Sequence, residues 1–368
     1  MEEVKKQKKV MPFITTTLNG MAFGLFATLI IGTIFSTIGG FFPAATEVKD
    51  FSSFMYIVLR NTGDMLSKIT GAGIGVGIAI ALKFDTLKVI VLAAVGEIAS
   101  FFSLSTSFVT KGITNWGTFG IGDPLTIYLV VIGTALLMKL VLVKKTPVDI
   151  LIIPFFSLLV SLILSLSLRY PAIYVTYAIQ YIIDVSTYAV PFVMGIVVSV
   201  LMGMALTAPI SSAAIAFALF TGAVPGSGLA IASGAAVVGC CTQMVGFAIQ
   251  SRKDNSIGMV ISIGVGTSML QFKNILKKPV IWLPTIITSA ILGPIATCLI
   301  HTICIGSSAG MGTAGFVGII GTISSMGNCW ELYVSIFVLE IVAPIILVYL
   351  FDLLFRKVGW IKEGDLKV

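Results

Sequence analysis

Residues Val185 to Gln250 read VSTYAVPFVMGIVVSVLMGMALTAPISSAAIAFALFTGAVPGSGLAIASGAAVVGCCTQMVGFAIQ and include no Asp, Glu, Lys or Arg. An uncharged stretch of this length crosses a lipid bilayer repeatedly, because one transmembrane helix needs roughly 20 apolar residues. Its apolar runs are continuous, whereas outer-membrane strands alternate apolar and polar residues over segments of roughly ten. The stretch therefore predicts an all-α, polytopic membrane protein.

The rest of the chain has the same character. Of its 368 residues, 57% are hydrophobic and 11% charged, whereas a soluble domain carries roughly 25% charged residues. The 37 glycines lie among other small residues, a mixture that lets membrane helices approach closely and break locally. We expect one transmembrane domain over residues 1–368, no soluble domain, and a working site inside the bilayer.

Uncharged runs predict the membrane spans, with cuts at prolines, glycines and charges. Ten spans are predicted, at 13–42, 66–82, 89–110, 124–143, 148–168, 186–206, 209–223, 229–250, 280–303 and 333–355. Three segments are predicted not to cross: 171–184, which follows Arg169-Tyr170-Pro171 and is interfacial; 256–271, too short to cross and therefore re-entrant or interfacial; and the glycine-rich 304–329, a second re-entrant candidate.

The formal net charge of +7 comes from basic residues grouped at the ends of apolar runs. This placement is typical of topology determinants and argues against direct binding of nucleic acid. With ten crossings all the basic groups fall on one side, which the positive-inside rule makes cytoplasmic. We therefore expect a multi-pass protein of the bacterial cell membrane with both termini in the cytoplasm.

Several kinds of site are disfavoured by the sequence. The five cysteines form no C-x-x-C pair and accompany a single histidine, which argues against structural zinc and a disulfide framework. The run Gly310 to Gly315 fits G-x-G-x-x-G, but its flanks are membrane-like and lack the preceding strand of a dinucleotide site. Alternating glycines at 71, 73, 75 and 77 indicate close helix packing more than an ion filter. We predict no cofactor and no metal.

Ionisable and amide side chains inside apolar segments are the candidate functional groups. An ionised Glu97 or Glu340 would be costly in lipid without a partner or a water-filled cavity. Each could instead be a neutral carboxyl that holds a neighbouring helix. His301 has no nucleophile or metal-ligand pattern near it and is either a hydrogen-bonding group for a solute or for Glu331, or a plain interfacial histidine.

Helix breaks expose backbone groups to a cavity, as in transporters, and four polar residues lie near the proposed breaks: Gln243, Gln271, Asn328 and Glu331. We predict that the groups lining a solute cavity include Glu97, Gln271, His301, Asn328, Glu331 and Glu340.

Four segments carry a resemblance to a known family. They are GTSMLQ at 266–271, KKPVIWLP at 277–284, SAILGP at 289–294 and the run from Met204 to Ile215. Together they resemble the EIIC-like membrane family related to sugar-permease subunits of the bacterial phosphotransferase system, in the branch that includes the perfringolysin O regulator protein. The likeness covers nearly the whole chain, and its motifs are apolar, with no catalytic signature.

The resemblance implies a membrane subunit that binds a sugar near the midplane while a separate EIIB domain phosphorylates it from the cytoplasm. The sequence shows no EIIA-like or EIIB-like region, so the chain is expected to be a transport protein without enzymatic activity of its own. This interpretation allows a cytoplasmic EIIB-like partner and assembly as a homodimer. The alternatives are a membrane solute sensor that regulates toxin expression indirectly, and an unrelated proton- or sodium-driven carrier.

Overall fold

The structure is a computed structural model that describes residues 2–105, 107–112, 116–117, 119–120, 122–142, 146–208 and 212–368, none of which forms a strand. The chain divides into two compact units, Met1–Ala178 and Ile179–Val368. The helices of the first unit are α1 (Glu2–Leu25), a π-helix at Phe26–Ile30, α2 (Ile31–Gly39), α3 (Phe51–Lys68), α4 (Thr70–Ala81), α5 (Thr86–Phe102), α6 (Ser107–Lys111), α7 (Pro124–Val141) and α8 (Asp149–Ala189), which continues past the boundary.

The helices of the second unit are more often interrupted. They are α9 (Pro191–Thr207), α10 (Ser212–Phe220), α11 (Gly228–Gln250), α12 (Ile257–Ile261), α13 (Phe272–Lys277), α14 (Leu283–Ile295), α15 (Gly306–Ala309), α16 (Val317–Met326), α17 (Trp330–Tyr333) and α18 (Ala343–Lys357). Three π-helices lie between them at Ser262–Gly266, Ala296–Ile300 and Val334–Val342, and short 3-10 turns occupy Ser251–Lys253, Ser268–Gln271, Pro279–Trp282 and Ala314–Phe316.

The described helices confirm the all-α membrane architecture. Six are long and apolar enough to cross a bilayer: Pro12–Gly39, Pro124–Val141, Asp149–Ala189, Gly228–Lys253, Pro279–Ile300 and Trp330–Lys357. Two bent pairs raise the number to eight if each is one span: α3 with α4, bent by 55°, and Ile257–Gly266 with Ser268–Lys277, bent by 119°. Among the described residues the number of candidate spans is thus six to eight, lower than the predicted ten.

The predicted break at Arg169-Tyr170-Pro171 is wrong. α8 runs through it as one helix of 41 residues with Pro154 and Pro171 inside it, so 171–184 is helical and continuous with 148–168. Membrane helices tolerate proline, because neighbouring groups satisfy the carbonyl that loses its N–H partner.

Three other predicted spans differ in length. Within the predicted 209–223 span, α10 has nine residues, which rise only about 14 Å, while residues 209–211 lie outside the described residues. α5 ends at Phe102 and does not reach residue 110. The predicted span at 66–82 corresponds to α4, and the preceding helix α3 was missed because Arg60, Asp64 and Lys68 interrupt its apolar pattern.

Glycines hold the first unit together. A Cβ at Gly73 or Gly77 of α4 would collide with the backbone carbonyl of Gly24 or Gly20 of α1. The alternate glycines of α4, Gly71 and Gly75, lie equally close to carbonyls of Gly96 and Leu92 in α5. One helix therefore packs backbone to backbone against two others, which confirms that the alternating glycines serve packing.

In the second unit α11 is the central helix. In its membrane-spanning stretch 89% is buried inside the protein, compared with 22% in that of α8. Its sequence is apolar or small on every face, as expected for a helix surrounded by others. Gly239 lies against the Ser199 backbone of α9, and Gly195 of α9 lies against Gly293 of α14. The close packing of these three helices places the polar side chains of α11 in the interior.

Candidate functional site

Broken helices surround the middle of α11. The π-helix Ala296–Ile300 ends at His301, whose backbone is left-handed (φ 53°), and the chain then runs without helix to residue 305. Ser233 of α11 fixes this piece: its Oγ donates to the Cys304 carbonyl at 2.7 Å and accepts the Cys304 N–H at 3.2 Å. Non-helical backbone at membrane depth is stable only when such partners satisfy it.

The next segment, 304–329, folds back on itself. The N–H of Ile305 donates to the Gly321 carbonyl at 3.4 Å, and that of Gly318 donates to the Gly312 carbonyl at 2.8 Å. The reversal uses left-handed backbone at Gly312 and Gly315, with φ of 54° and 53°, which glycine adopts readily. The glycine run is therefore a tight turn, and its re-entrant placement in the membrane stays a prediction.

Glu340 lies in the π-helix Val334–Val342 and is completely buried. Its Oε1 accepts from the Thr322 hydroxyl at 2.8 Å, and its Oε2 lies 3.9 Å from the Cys241 thiol, which donates to it. We call these three residues the Glu340 cluster. A carboxyl bonded only by neutral donors from two other helices fits the helix-anchoring alternative, and the wide turn of a π-helix is often found at functional sites.

Gln243 is the centre of a second interior group. Its side-chain oxygen accepts from the Trp282 indole N–H at 2.9 Å, the Thr285 hydroxyl at 3.0 Å and the Thr207 hydroxyl at 3.3 Å. Thr207 is also bonded to the Ser268 hydroxyl at 2.9 Å. We call these five residues the Gln243 cluster. The Trp282 indole N–H can only donate, so the amide atom it meets is the oxygen and the other is the nitrogen.

The Gln243 nitrogen has no hydrogen-bond partner although it is buried. A buried donor without an acceptor is destabilising, by about 1–3 kcal/mol. Such a group inside a cluster of hydroxyls and an aromatic ring can hold the hydroxyl oxygen of a small polar solute. The Gln243 cluster is therefore the arrangement in the second unit best suited to bind one.

Glu97 belongs to the first unit and is half-buried. Its Oε2 accepts the Ala72 N–H at 3.1 Å, in the first turn of α4 just after the 55° bend from α3. A carboxylate at a helix N-terminus satisfies an N–H that lacks an intrahelical partner and interacts favourably with the helix dipole. Glu97 thus holds the broken end of α4.

Gln271 is buried and bound to the C-terminal segment. Its Nε2 donates to the Leu366 carbonyl at 2.9 Å, and its Oε1 accepts from Asn274 at 2.9 Å. Asn255 donates to the same carbonyl at 2.7 Å. These bonds give Gln271 a role in docking the C-terminal tail, the residues around Leu366.

The remaining predicted residues lie nearer the surface of the second unit. His301 and Asn328 are exposed, and Glu331 is half-buried in the first turn of α17. Asn328 accepts a hydrogen bond from the Tyr333 hydroxyl at 2.8 Å. The described contacts bring none of these three into either interior cluster.

Four members of the Gln243 cluster are hydroxyl or aromatic residues that the sequence analysis did not select. Two of them, Ser268 and Trp282, lie within quoted family-like segments, and Thr207 lies in a third. Trp282, Thr285 and Thr207 bond to Gln243, and Ser268 bonds to Thr207. The one signal for this cluster in the sequence was the place of Gln243 near a helix break, since the other four residues are distant in sequence.

Comparison with known proteins gives one finding. No curated protein and no solved structure matches the chain. The family model described as phosphotransferase system, EIIC, matches residues 15–368, which span both units. The chain therefore belongs to the EIIC family of the phosphotransferase system, the membrane components of sugar transport.

Proposed function

We propose that the chain is an EIIC-type permease that binds a sugar or similar small polar solute and moves it across the cell membrane. The family match supports membrane transport, and the unpartnered amide nitrogen of Gln243 is the observation that carries the binding site. Sugar hydroxyls both donate and accept, so they suit an amide donor ringed by hydroxyls. The proposed site is the Gln243 cluster. Glu340 contacts α11 at Cys241 and is not part of this cluster.

The predicted solute-binding residues remain proposals with different support. Glu97 keeps one carboxylate oxygen for which the described contacts show no partner, so it can still accept from a solute. Glu340 is enclosed and would act on a solute only through Thr322 or Cys241. Gln271, His301, Asn328 and Glu331 have weaker support, since the first docks the tail and the others lie apart from both clusters.

Phosphorylation of the solute would be the work of a separate protein. A phosphoryl group is transferred by a positioned nucleophile or phosphoryl carrier, and neither interior cluster contains one that faces water. A cytoplasmic EIIB-like protein, acting on solute released at the cytoplasmic side, fills this role. We further propose that both termini are cytoplasmic, that the protein assembles as a homodimer, and that both units belong to one transmembrane domain.

Uptake by proteoliposomes tests the proposal. Purified protein is reconstituted, and entry of radiolabelled sugars is measured with and without an imposed proton or sodium gradient. We expect saturable uptake of at least one sugar, reduced at least ten-fold by Gln243→Ala. Saturable binding without uptake would identify the alternative, a membrane solute sensor. Uptake that depends on an ion gradient would identify a secondary carrier.

A further inference from the structure

Arg169 is a buried cation for which no counter-ion is found in the part of the chain that the structure describes. It lies in α8 directly after the uncharged run 150–168, and its side chain is 1% exposed. Only Nη2 has a partner, the Tyr170 hydroxyl at 3.0 Å, while Nε and Nη1 are buried without any. Together Nε and Nη1 carry three N–H donors, so most of the guanidinium is unsatisfied.

Two other arginines of the chain have carboxylate partners. Arg252 lies 3.3 Å from the Asp352 carboxylate. Arg356 lies 3.0 Å from Asp352 and 3.7 Å from Asp254. Both are more exposed than Arg169, with side chains 25% and 11% accessible, and yet both have carboxylate partners. Since burial without a partner is costly for a charge, Arg169 calls for an anion, and the described residues supply none.

Asp123, a carboxylate that contacts the same helix, is already used. Asp123 accepts from Thr176, seven residues after Arg169 on the helix, at 3.0 Å. Its other oxygen accepts the Thr126 N–H at 2.7 Å and the Thr126 hydroxyl at 2.6 Å. Asp123 is therefore committed to joining α7 to α8.

Two aromatic rings lie against the guanidinium. The Trp116 and Tyr170 rings lie 4.7 Å and 4.8 Å from its central carbon, a stacking arrangement that stabilises a cation without satisfying its N–H groups. Ser165, one helical turn earlier on the same face, has a buried hydroxyl that is also unpartnered. The donors that remain are those that bind oxyanions.

The position of Arg169 narrows the class of anion. It follows an apolar run of membrane-span length, and two aromatic side chains, those of Trp116 and Tyr170, lie against its guanidinium. Tryptophan and tyrosine are enriched at the membrane–water interface, at the level of the lipid phosphates. We propose that Arg169, with Ser165, binds a phosphate group, either of a phospholipid headgroup or of a soluble phosphate. This site is independent of solute binding at Gln243.

Thermal melting of the full-length protein in a neutral detergent, after phospholipid has been removed, tests the proposal. Melts are compared in sodium phosphate and in sodium chloride of equal ionic strength, and after addition of phosphatidylglycerol or phosphatidylcholine. We expect a phosphate-bearing ligand to raise the wild-type Tm by roughly 3 °C or more. Arg169→Gln should reduce that shift at least three-fold, while Arg60→Gln, at an exposed arginine of α3, should retain it.

The two sources separate in this experiment. A shift with inorganic phosphate in the absence of lipid assigns a soluble anion, and a shift only with phospholipid assigns a headgroup. A wild-type Tm that responds to neither, or an Arg169→Gln protein with the full wild-type shift, overturns the proposal. If Arg169→Gln does not fold, Ser165→Ala decides: we expect an approximately three-fold weaker apparent affinity for the phosphate-bearing ligand, and an unchanged affinity overturns the proposal.

Discussion

The indole N–H of Trp282 donates to the side-chain oxygen of Gln243 at 2.9 Å, which joins the start of α14 to the middle of α11. The bond orients the amide so that its nitrogen is the atom left without a partner. The pair therefore fixes both the geometry and the hydrogen-bonding character of the proposed solute site.

Replacing Gln243 by alanine tests this site directly. The variant loses the donor proposed for the solute and leaves the Trp282 indole N–H without its acceptor. We expect solute affinity to fall at least ten-fold, about 1.5 kcal/mol, and the free energy of unfolding to fall by about 1–3 kcal/mol. Isothermal titration and thermal melting measure the two effects.

Gln180→Ala is the matched control, because Gln180 is a buried glutamine that donates only to the backbone carbonyls of Ala218 and Thr221. We expect it to lower stability by a similar amount without a ten-fold change in affinity. An equal loss of affinity in both variants would mean that Gln243 acts through the fold alone.

Glu97→Gln separates helix capping from solute binding. The amide oxygen can still accept the Ala72 N–H, so we expect the free energy of unfolding to fall by no more than about 1 kcal/mol. Loss of the charge should weaken solute binding about ten-fold if the second oxygen accepts from the solute. A well-folded variant with wild-type affinity would assign Glu97 to helix capping only.

The glycine contacts of α4 predict a large effect on stability. Gly77→Val places a branched side chain where the Gly20 carbonyl lies, and overpacking of this kind costs about 1–3 kcal/mol or more. We expect the melting temperature and the yield of monodisperse protein to drop sharply. Gly258→Ala is the control, since a Cβ there meets open space, and it should melt as the wild type does or slightly higher.

The docked C-terminal segment predicts a dependence on pH. Asp365 lies 2.6 Å from the Lys278 ammonium. Burial is the largest single influence on the Asp365 pKa and raises it, but the Lys278 bond and the Lys362 N–H together outweigh burial and hold the pKa below its ordinary value of 3.8. A carboxyl with a lowered folded-state pKa stabilises the folded form above its unfolded pKa and loses that effect as the pH falls through the folded value.

We therefore expect docking of the tail to be constant from neutral pH to about 4 and to weaken only below it. Fluorescence anisotropy of a dye on Val368→Cys reports the mobility of the tail. Asp365→Asn should give a more mobile tail at pH 7 with no such transition. A transition centred above pH 3.8 in the parent protein would contradict this assignment.

The 119° bend at residue 267 predicts that the segment between Lys253 and Lys277 returns to the side it leaves. Both lysines are exposed, so single cysteines there can be labelled by an impermeant maleimide in a background without Cys298 and Cys329. We expect both positions to react from the cytoplasmic side. Reaction from opposite sides would make this segment a crossing.

Long uncharged runs were sufficient to predict five of the six long candidate spans, and the glycine spacing of α4 predicted its packing. The continuity of α8 through Pro171 was not predictable from local pattern, because tertiary partners decide whether a helix survives a proline. The roles of Gln271 and Gln243 depend on residues far away in sequence, Leu366 and Trp282. A polar residue in an apolar run thus indicates that a partner exists without identifying it.

The π-helix at Val334–Val342 also constrains how this part of the chain can change in length. A π-turn closes over one residue more than an α-turn, so the loss of one residue from Val334–Val342 can be absorbed by conversion of the π-helix into an α-helix, which leaves Asp352 facing Arg252. One residue lost from α18 ahead of Asp352 has no such outlet and would turn Asp352 by about 100° around the helix axis. The stretch Val334–Val342 is therefore the part of the last span that we expect to tolerate a one-residue deletion.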